Sequence, residues 1–150
     1  VTYGHLDIIE RCAHIFARLI VAVASNPSKE PLFDVSERLE MLRAVTADSA
    51  GMEVTSFEGL TVAYARRRGA RVIVRGLRAV SDFEEEFKMA AANRKLAEEI
   101  NTVLLLPSEK YFYLNSSLVK EIARLGGPVD YFVPSAVEER LREKLAFQGG

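Results

Sequence analysis

The apolar run Val72-Ile73-Val74 stops at Arg75-Gly76-Leu77-Arg78, and an acidic, helix-like stretch follows. That pattern reads as a buried strand whose carboxyl end opens onto an anion site, where open α/β sheets bind ligands. Gly76 lets the backbone approach a ligand closely, and Arg75 and Arg78 present forked donors that match phosphate. A second phosphate signal, Thr2-Tyr3-Gly4-His5, opens the first helix. A helix N-terminus offers unpaired N–H groups and positive potential. A histidine there can donate to a phosphate oxygen without acting as a nucleophile. An ordinary surface histidine near a helix end is the competing account of His5. Together the two clusters point to chemistry on a nucleoside triphosphate.

Other residues carry weaker signals. Lys29 lies in the loop after the apolar run Leu19–Ala24, at the crest of a strand expected to be central. A lone loop lysine is more often only solvated. Glu84-Glu85-Glu86 suits the first turns of a helix on dipole grounds alone, yet one of the three can turn back toward a nucleotide. Tyr111-Phe112-Tyr113-Leu114-Asn115-Ser116-Ser117 brings aromatics and hydroxyls to a later helix start, where Ser116 and Ser117 read as an anion cradle or as an N-cap. Arg66-Arg67-Arg68 ends a helix, where cations offset the carbonyl dipole, and reads as a solvated face. His14 reads as structural or solvent-facing, and Cys12 as a core residue. No Ser–His–Asp or Cys–His set, His-Glu-x-x-His or Gly-x-x-x-x-Gly-Lys-Ser pattern is present, and no metal ligands are assigned. Cations and N–H donors without an evident nucleophile suit direct phosphoryl or nucleotidyl transfer, which depends on positioning and charge neutralisation.

The elements that must hold these residues alternate. Helical spacing over 5–18 is followed by an apolar run at 19–24, which reads as a fully buried strand. A polar, proline-bearing loop over 25–31 comes next. Asp34 with Glu37 forms a capping-box pattern for a helix to about Ala47. Strands are predicted at 52–57, 72–74 and 102–106. Helices are predicted at 61–68, from Ser81 or Asp82 to about Glu99, from Ser116 to the Gly126-Gly127-Pro128 stop, and from Pro134-Ser135 to about Leu145. Such alternation implies a doubly wound parallel sheet with helices on both faces. At 150 residues the chain fits one domain, 1–150. Its net charge of −1 gives no reason to expect a nucleic-acid or anionic-membrane surface. With one cysteine no intrachain disulfide forms. No apolar run nears the roughly 20 residues needed to span a bilayer, and a cytoplasmic location is the expectation.

These segments resemble a known family. Thr2-Tyr3-Gly4-His5 looks like the T-x-G-H motif of the nucleotidylyltransferase superfamily. Ser25-Asn26-Pro27-Ser28-Lys29, the stretch Ile73 to Glu84 and Asn115-Ser116-Ser117-Leu118-Val119-Lys120-Glu121 are similar to bacterial phosphopantetheine adenylyltransferases. The resemblance runs from Val1 to about Leu145. It implies a Rossmann-like fold and transfer of AMP from Mg-ATP to 4′-phosphopantetheine, giving dephospho-coenzyme A and pyrophosphate, the penultimate step of coenzyme A synthesis. By the family pattern His5, Lys29 and Arg78 are catalytic, with His5 stabilising charge on the α-phosphate. Lys29, Thr61 and Arg75 hold phosphopantetheine. Gly76, Leu77, Arg78, Glu86 and Tyr111 to Ser117 contact ATP together with His5. Mg2+ as cofactor, a homohexamer and feedback by coenzyme A are carried over in the same way. Two departures stand out: the family's leading strand with its Gly-(Thr/Ser)-Phe-Asp-Pro segment is expected upstream of Val1, and Asn115 replaces the usual serine. The alternatives are adenylyl transfer to nicotinate or flavin mononucleotide, CMP transfer to head-group alcohols, and a nucleotide-binding protein without catalysis.

Overall fold

A computed structural model describes residues 1–25, 31–49 and 51–146. The element order is α1 (Tyr3–Ile15), β1 (Leu19–Ser25), α2 (Val35–Val45), β2 (Met52–Glu58), α3 (Thr61–Arg67), β3 (Val72–Gly76), α4 (Val80–Leu96), β4 (Asn101–Leu105), a single 3-10 turn (Glu109–Tyr111), α5 (Ser116–Arg124) and α6 (Ser135–Ala146). Strands and helices alternate as the hydrophobic pattern predicts, and all strand pairing is parallel.

Local chemistry explains most boundaries. Asp34 caps α2 by accepting from the Glu37 N–H, and Glu37 reaches back to the Asp34 N–H, both at 2.8 Å. At the end of α5, Gly126 adopts φ +76° and the Gly127 N–H closes on the Ile122 carbonyl at 2.9 Å. Only glycine suits that left-handed turn without strain. Two predicted caps are corrected. Helix α4 starts after Ala79, not at Ser81 or Asp82, and Ala79 supplies no side-chain cap. Asp82 is free of capping and turns to Arg78 instead. Helix α5 is capped by Asn115, whose side chain accepts from the Leu118 N–H at 2.9 Å. Ser116 is the first residue inside the helix.

The sheet comes as two parallel pairs. β1 runs beside β2 from Leu19↔Met52 to Ser25↔Glu58, and β3 beside β4 from Val72↔Asn101 to Gly76↔Leu105. Among the described residues β1 and β3 do not pair with each other. A cleft of about 610 Å³ lies between them, lined by Ile20, Ala22 and Ala24 of β1, Val72 and Val74 of β3, and Ile8 of α1. Helix α1 packs against both strands. Among the described residues the run 19–24 is less buried than its composition predicts. Only Val23 is buried, while Ala22 and Ala24 are exposed, because one edge of β1 faces the cleft.

The core is correspondingly divided. One cluster joins α2, the turn before α5, α5 and α6 through Met41, Leu114, Val119, Val129, Val133, Val137 and Leu141. A second, smaller cluster holds Val62, Ala65, Ile73, Ala97 and Ile100 around α3 and β3. Ion pairs from α6 to α2, Lys144–Glu37 and Arg140–Glu40, flank the first cluster. Leu141 is 3% exposed within it. Leu141→Ala is expected to lower the unfolding free energy by about 2–5 kcal/mol, the usual cost of a core cavity. Urea titration checks this through a lower midpoint at an unchanged slope.

Candidate functional site

The site assembles where three backbone ends meet: the start of α1, the end of β3, and the loop that leads into α5. Thr2 caps α1 and is buried. Its backbone N–H donates to His5 Nδ1 at 3.2 Å, and its hydroxyl lies 2.8 Å from the same nitrogen. A backbone N–H can only donate, so Nδ1 is the acceptor and the neutral ring carries its proton on Nε2. His5 thus fills the place a glutamate takes in a capping box and turns an N–H donor outward. Desolvation of the imidazole pushes its pKa down to about 4, with the Arg78 and Arg38 guanidinium groups adding in the same direction. At neutral pH the ring is uncharged, although its outer edge remains exposed.

Gly4 packs α1 onto the loop before α5. A Cβ at Gly4 would meet the Thr2 hydroxyl at 3.6 Å, Tyr111 at 3.7 Å and Leu114 at 3.8 Å. The Tyr3 and Tyr111 rings stack at 6.4 Å. Arg78 closes the third side: its Nη1 donates to the Leu114 carbonyl at 3.3 Å and its Nε to Asp82 at 3.1 Å. Gly76 lies against α1, where a Cβ would stand 3.4 Å from Ile8. The Leu77 N–H continues the ladder to the Leu105 carbonyl at 2.8 Å, so that donor belongs to the sheet. Leu114 is 2% exposed and its side chain is core. Its N–H donates to the Tyr111 carbonyl and its own carbonyl accepts from Arg78, so it supports the loop rather than facing a ligand. Phe112, Tyr113, Ser116 and Ser117 are exposed around this loop.

Arg75 does not stand alone. Its Nε and Nη2 donate to the two oxygens of Glu86 at 2.9 and 2.8 Å, and the pair holds the guanidinium firmly protonated. Of the three glutamates in the run, Glu84 and Glu85 pair with Lys88 on the open face of α4, and Glu86 alone turns inward. Thr61 opens α3 and lines the cleft together with Arg75. Lys29, with the rest of its loop from Asn26 to Glu30, lies outside the described residues. His14 is exposed and bonds only to its own helix at the Glu10 carbonyl, in line with the solvent-facing reading. Arg66 pairs with Glu99 and Arg68 with Glu53, so that run decorates the surface as predicted.

Two residues escaped the sequence reading. Asp7 accepts from the Ser108 N–H at 2.9 Å, from the Ser108 hydroxyl, and from Arg11 Nε at 2.8 Å. Arg11 Nη2 also reaches the Ser108 hydroxyl at 2.9 Å. This clamp ties α1 to the segment feeding the 3-10 turn, and so fixes the loop 111–117 relative to His5. Burial alone would raise the Asp7 pKa, but the bonds from Ser108 and Arg11 outweigh it and hold the carboxyl below the usual range. In the sequence Asp7 is one acidic residue on an amphipathic helix, and nothing marks a partner 101 positions away.

Two outcomes follow from this geometry. Between pH 6.5 and about 4 the unfolded chain binds the His5 proton that the folded chain refuses, so stability falls with pH through that window. His5→Gln is expected to flatten this part of the curve in thermal melts taken from pH 7 down to about 4. Asp7→Ala leaves the Ser108 donors without their acceptor and is expected to cost about 1–3 kcal/mol by denaturant titration. Arg11→Ala should cost less, because Ser108 keeps Asp7.

Comparison with known proteins agrees with these features. Residues 1–122 match the cytidylyltransferase-like family. The chain is 56% identical over 145 residues to the phosphopantetheine adenylyltransferase of Caldanaerobacter subterraneus subsp. tengcongensis, a match covering 97% of this chain and 91% of that protein. It is 52% identical over 149 residues to the enzyme of the same name from Desulforudis audaxviator, covering 99% and 91% of the two chains. The Gloeobacter violaceus protein of that name is 54% identical over 145 residues, covering 97% and 90%. With identity this high along nearly its whole length, the chain belongs to the phosphopantetheine adenylyltransferases, within the cytidylyltransferase-like family.

Proposed function

We propose that this chain transfers the AMP group of Mg-ATP to the phosphate of 4′-phosphopantetheine, in the cytoplasm, as a step of coenzyme A synthesis. The observation that carries the chemical reading is His5: a neutral imidazole with Nδ1 engaged by Thr2 and Nε2–H turned outward near Arg78. An acceptor phosphate oxygen forms a new bond to the α-phosphorus while the bond from that phosphorus to the β-bridging oxygen breaks. Pyrophosphate leaves with the electron pair. The Nε2–H donates to a non-bridging α-oxygen, where charge develops in the transition state. Arg78, whose carbonyl bond ties it to the loop 111–117, neutralises the triphosphate from the other side. Arg75, Thr61 and Lys29 serve the acceptor.

Among the described residues no three His, Cys, Asp or Glu side chains converge to hold a metal ion. Magnesium enters with the substrate, carried on the phosphates of ATP, which suits an ion that keeps most of its water and few protein ligands. Among those residues no helix is long and apolar enough to cross a membrane. Among the described residues β1 and β3 face each other across the cleft without pairing, which supports the expected leading strand. Exposed apolar residues on α4, Val80 at 91% together with Phe83 and Phe87, support self-association into the expected homohexamer. Feedback by coenzyme A, which contains the pantetheine arm of the acceptor, belongs to the same reading.

The test is pyrophosphate release from Mg-ATP with 4′-phosphopantetheine, nicotinate mononucleotide or flavin mononucleotide as acceptor. Release only with phosphopantetheine is expected; release with another acceptor overturns the substrate, and ATP binding without release overturns the catalysis. His5→Ala is expected to lower turnover about 10²–10³-fold, as removing one transition-state donor does. The ATP dissociation constant, read by calorimetry, should stay nearly unchanged. Equal losses in binding and turnover would remove His5 from transition-state stabilisation.

A further inference from the structure

We infer that Asp7 is a positioning residue for the triphosphate side of the reaction, acting through Ser108 and the loop beyond it on Arg78. The inference rests on the function proposed above. Both Asp7 oxygens are engaged. Oδ2 accepts from the Ser108 N–H at 2.9 Å and from Arg11 Nε at 2.8 Å, and Oδ1 accepts from the Ser108 hydroxyl. Only 13% of the Asp7 side chain is exposed, so these bonds form largely out of bulk water, where they are stronger. Arg11 closes the ring by reaching the Ser108 hydroxyl with Nη2 at 2.9 Å. One residue is thus gripped by its N–H and its hydroxyl at once, which fixes both its place and the turn of its peptide plane. The buried Pro107 just before it locks one more backbone angle.

From Ser108 a chain of hydrogen bonds leads to Arg78. The Ser108 carbonyl accepts from the Tyr111 N–H at 2.9 Å, and the Tyr111 carbonyl from the Leu114 N–H at 3.0 Å. The Leu114 carbonyl in turn accepts from Arg78 Nη1 at 3.3 Å. The near end of the same segment is tied back as well, since the Leu77 N–H donates to the Leu105 carbonyl at 2.8 Å. Between those two ties, the side-chain hydrogen bonds that reach 106–113 from elsewhere come, among the described residues, from Asp7 and Arg11. Asp7 stands two residues after His5 on α1. The helix that carries the His5 donor therefore also sets the loop on which the Arg78 guanidinium leans. At 3.3 Å that last bond is already long, so a small displacement of the loop breaks it. Asp82 keeps its hold on Arg78 from α4, which makes the loss partial. Arg75 lies off this path, paired with Glu86, so the acceptor side stays in place.

The experiment is a double-mutant cycle on Asp7→Ala and Arg78→Ala, with Asp7→Asn and Ser108→Ala as milder variants that keep an acceptor for the backbone N–H at 108. Dissociation constants for Mg-ATP and for 4′-phosphopantetheine are measured separately by calorimetry, below the onset of unfolding. Asp7→Ala is expected to weaken ATP binding about tenfold, within the range for residues of one hydrogen-bond network. Phosphopantetheine binding should stay within about twofold, and so should the further effect of Asp7→Ala once Arg78 is alanine. Asp7→Asn and Ser108→Ala should fall between wild type and Asp7→Ala. Equal losses for both substrates would make Asp7 general scaffolding and overturn the inference, as would unchanged ATP binding or full additivity with Arg78→Ala. If Asp7→Ala does not fold, the cycle on Ser108→Ala decides by the same criteria. A wild-type protein that binds ATP and releases no pyrophosphate sinks the proposed function, while the binding cycle still upholds or rejects the role of Asp7.

Discussion

The clamp between Asp7 and Ser108 is the constraint on which the rest of the site depends. It joins the first turns of α1 to the end of β4 across 101 positions of chain, through a backbone donor and a hydroxyl donor on one carboxylate. The T-x-G-H turn lies just before Asp7, and the loop 111–117 begins just after Ser108. The turn is also held by the Tyr3 N–H on the Phe132 carbonyl at 2.9 Å and the loop by Arg78 on the Leu114 carbonyl, while Gly4 and the stacked Tyr3 and Tyr111 rings bring α1 and the loop together. Fixing Asp7 on Ser108 lets those contacts form in one register. The larger core cluster then packs beneath the loop, with Leu114 as its contribution from the site side.

Electrostatics in this molecule work by arrangement more than by excess charge. With a net charge of −1 the protein has no strong overall field to draw in a polyanion. Several surface cations, among them Arg11, Arg66, Lys88 and Arg142, are matched by carboxylates in pairs that add little to stability. The two arginines of the β3–α4 loop are paired as well, but their partners lie on the sheltered side, and the guanidinium edges face outward. His5 follows the opposite strategy. Its environment keeps the ring neutral. A neutral imidazole with a fixed Nε2–H donates one directed hydrogen bond, whereas an imidazolium would attract phosphate equally before and during reaction. Directed donation favours the transition state selectively; uniform attraction does not.

Much of this was legible in the sequence because it is local. The Asp34–Glu37 box, the Gly126-Gly127 stop, the parallel alternation and the basic loop after strand 72–74 each rest on residues within a few positions of one another. What was not legible depends on distant neighbours or on competition between nearby groups. Asp82 looks like an N-cap until Arg78 claims it. Ser116 looks like one until Asn115 bonds the Leu118 N–H first. The run 19–24 is as apolar as a central strand should be, and composition alone does not say which edge will find a partner. Glu86 could be narrowed to one of three, since only position 86 faces β3, but its partner came from the fold.

The divided core bears on how stability and chemistry are related. The larger cluster supports the side of the site where His5, Arg78 and the loop 111–117 meet, and α2 and α6 stiffen it from behind. The acceptor side, with Thr61 and Arg75, borders the cleft, where β1 and β3 expose strand edges toward each other and only the small cluster around Ile73 lies beneath. A brace from α4 matters most on that side. Arg78 has a backbone carbonyl to lean on, whereas Arg75 sits at the end of a short strand and leans on Glu86. Its orientation then depends on a carboxylate held by a well-formed helix of 17 residues. The asymmetry between the two arginines therefore follows from what each finds within reach: a loop carbonyl together with Asp82 for Arg78, and the carboxylate of Glu86 for Arg75.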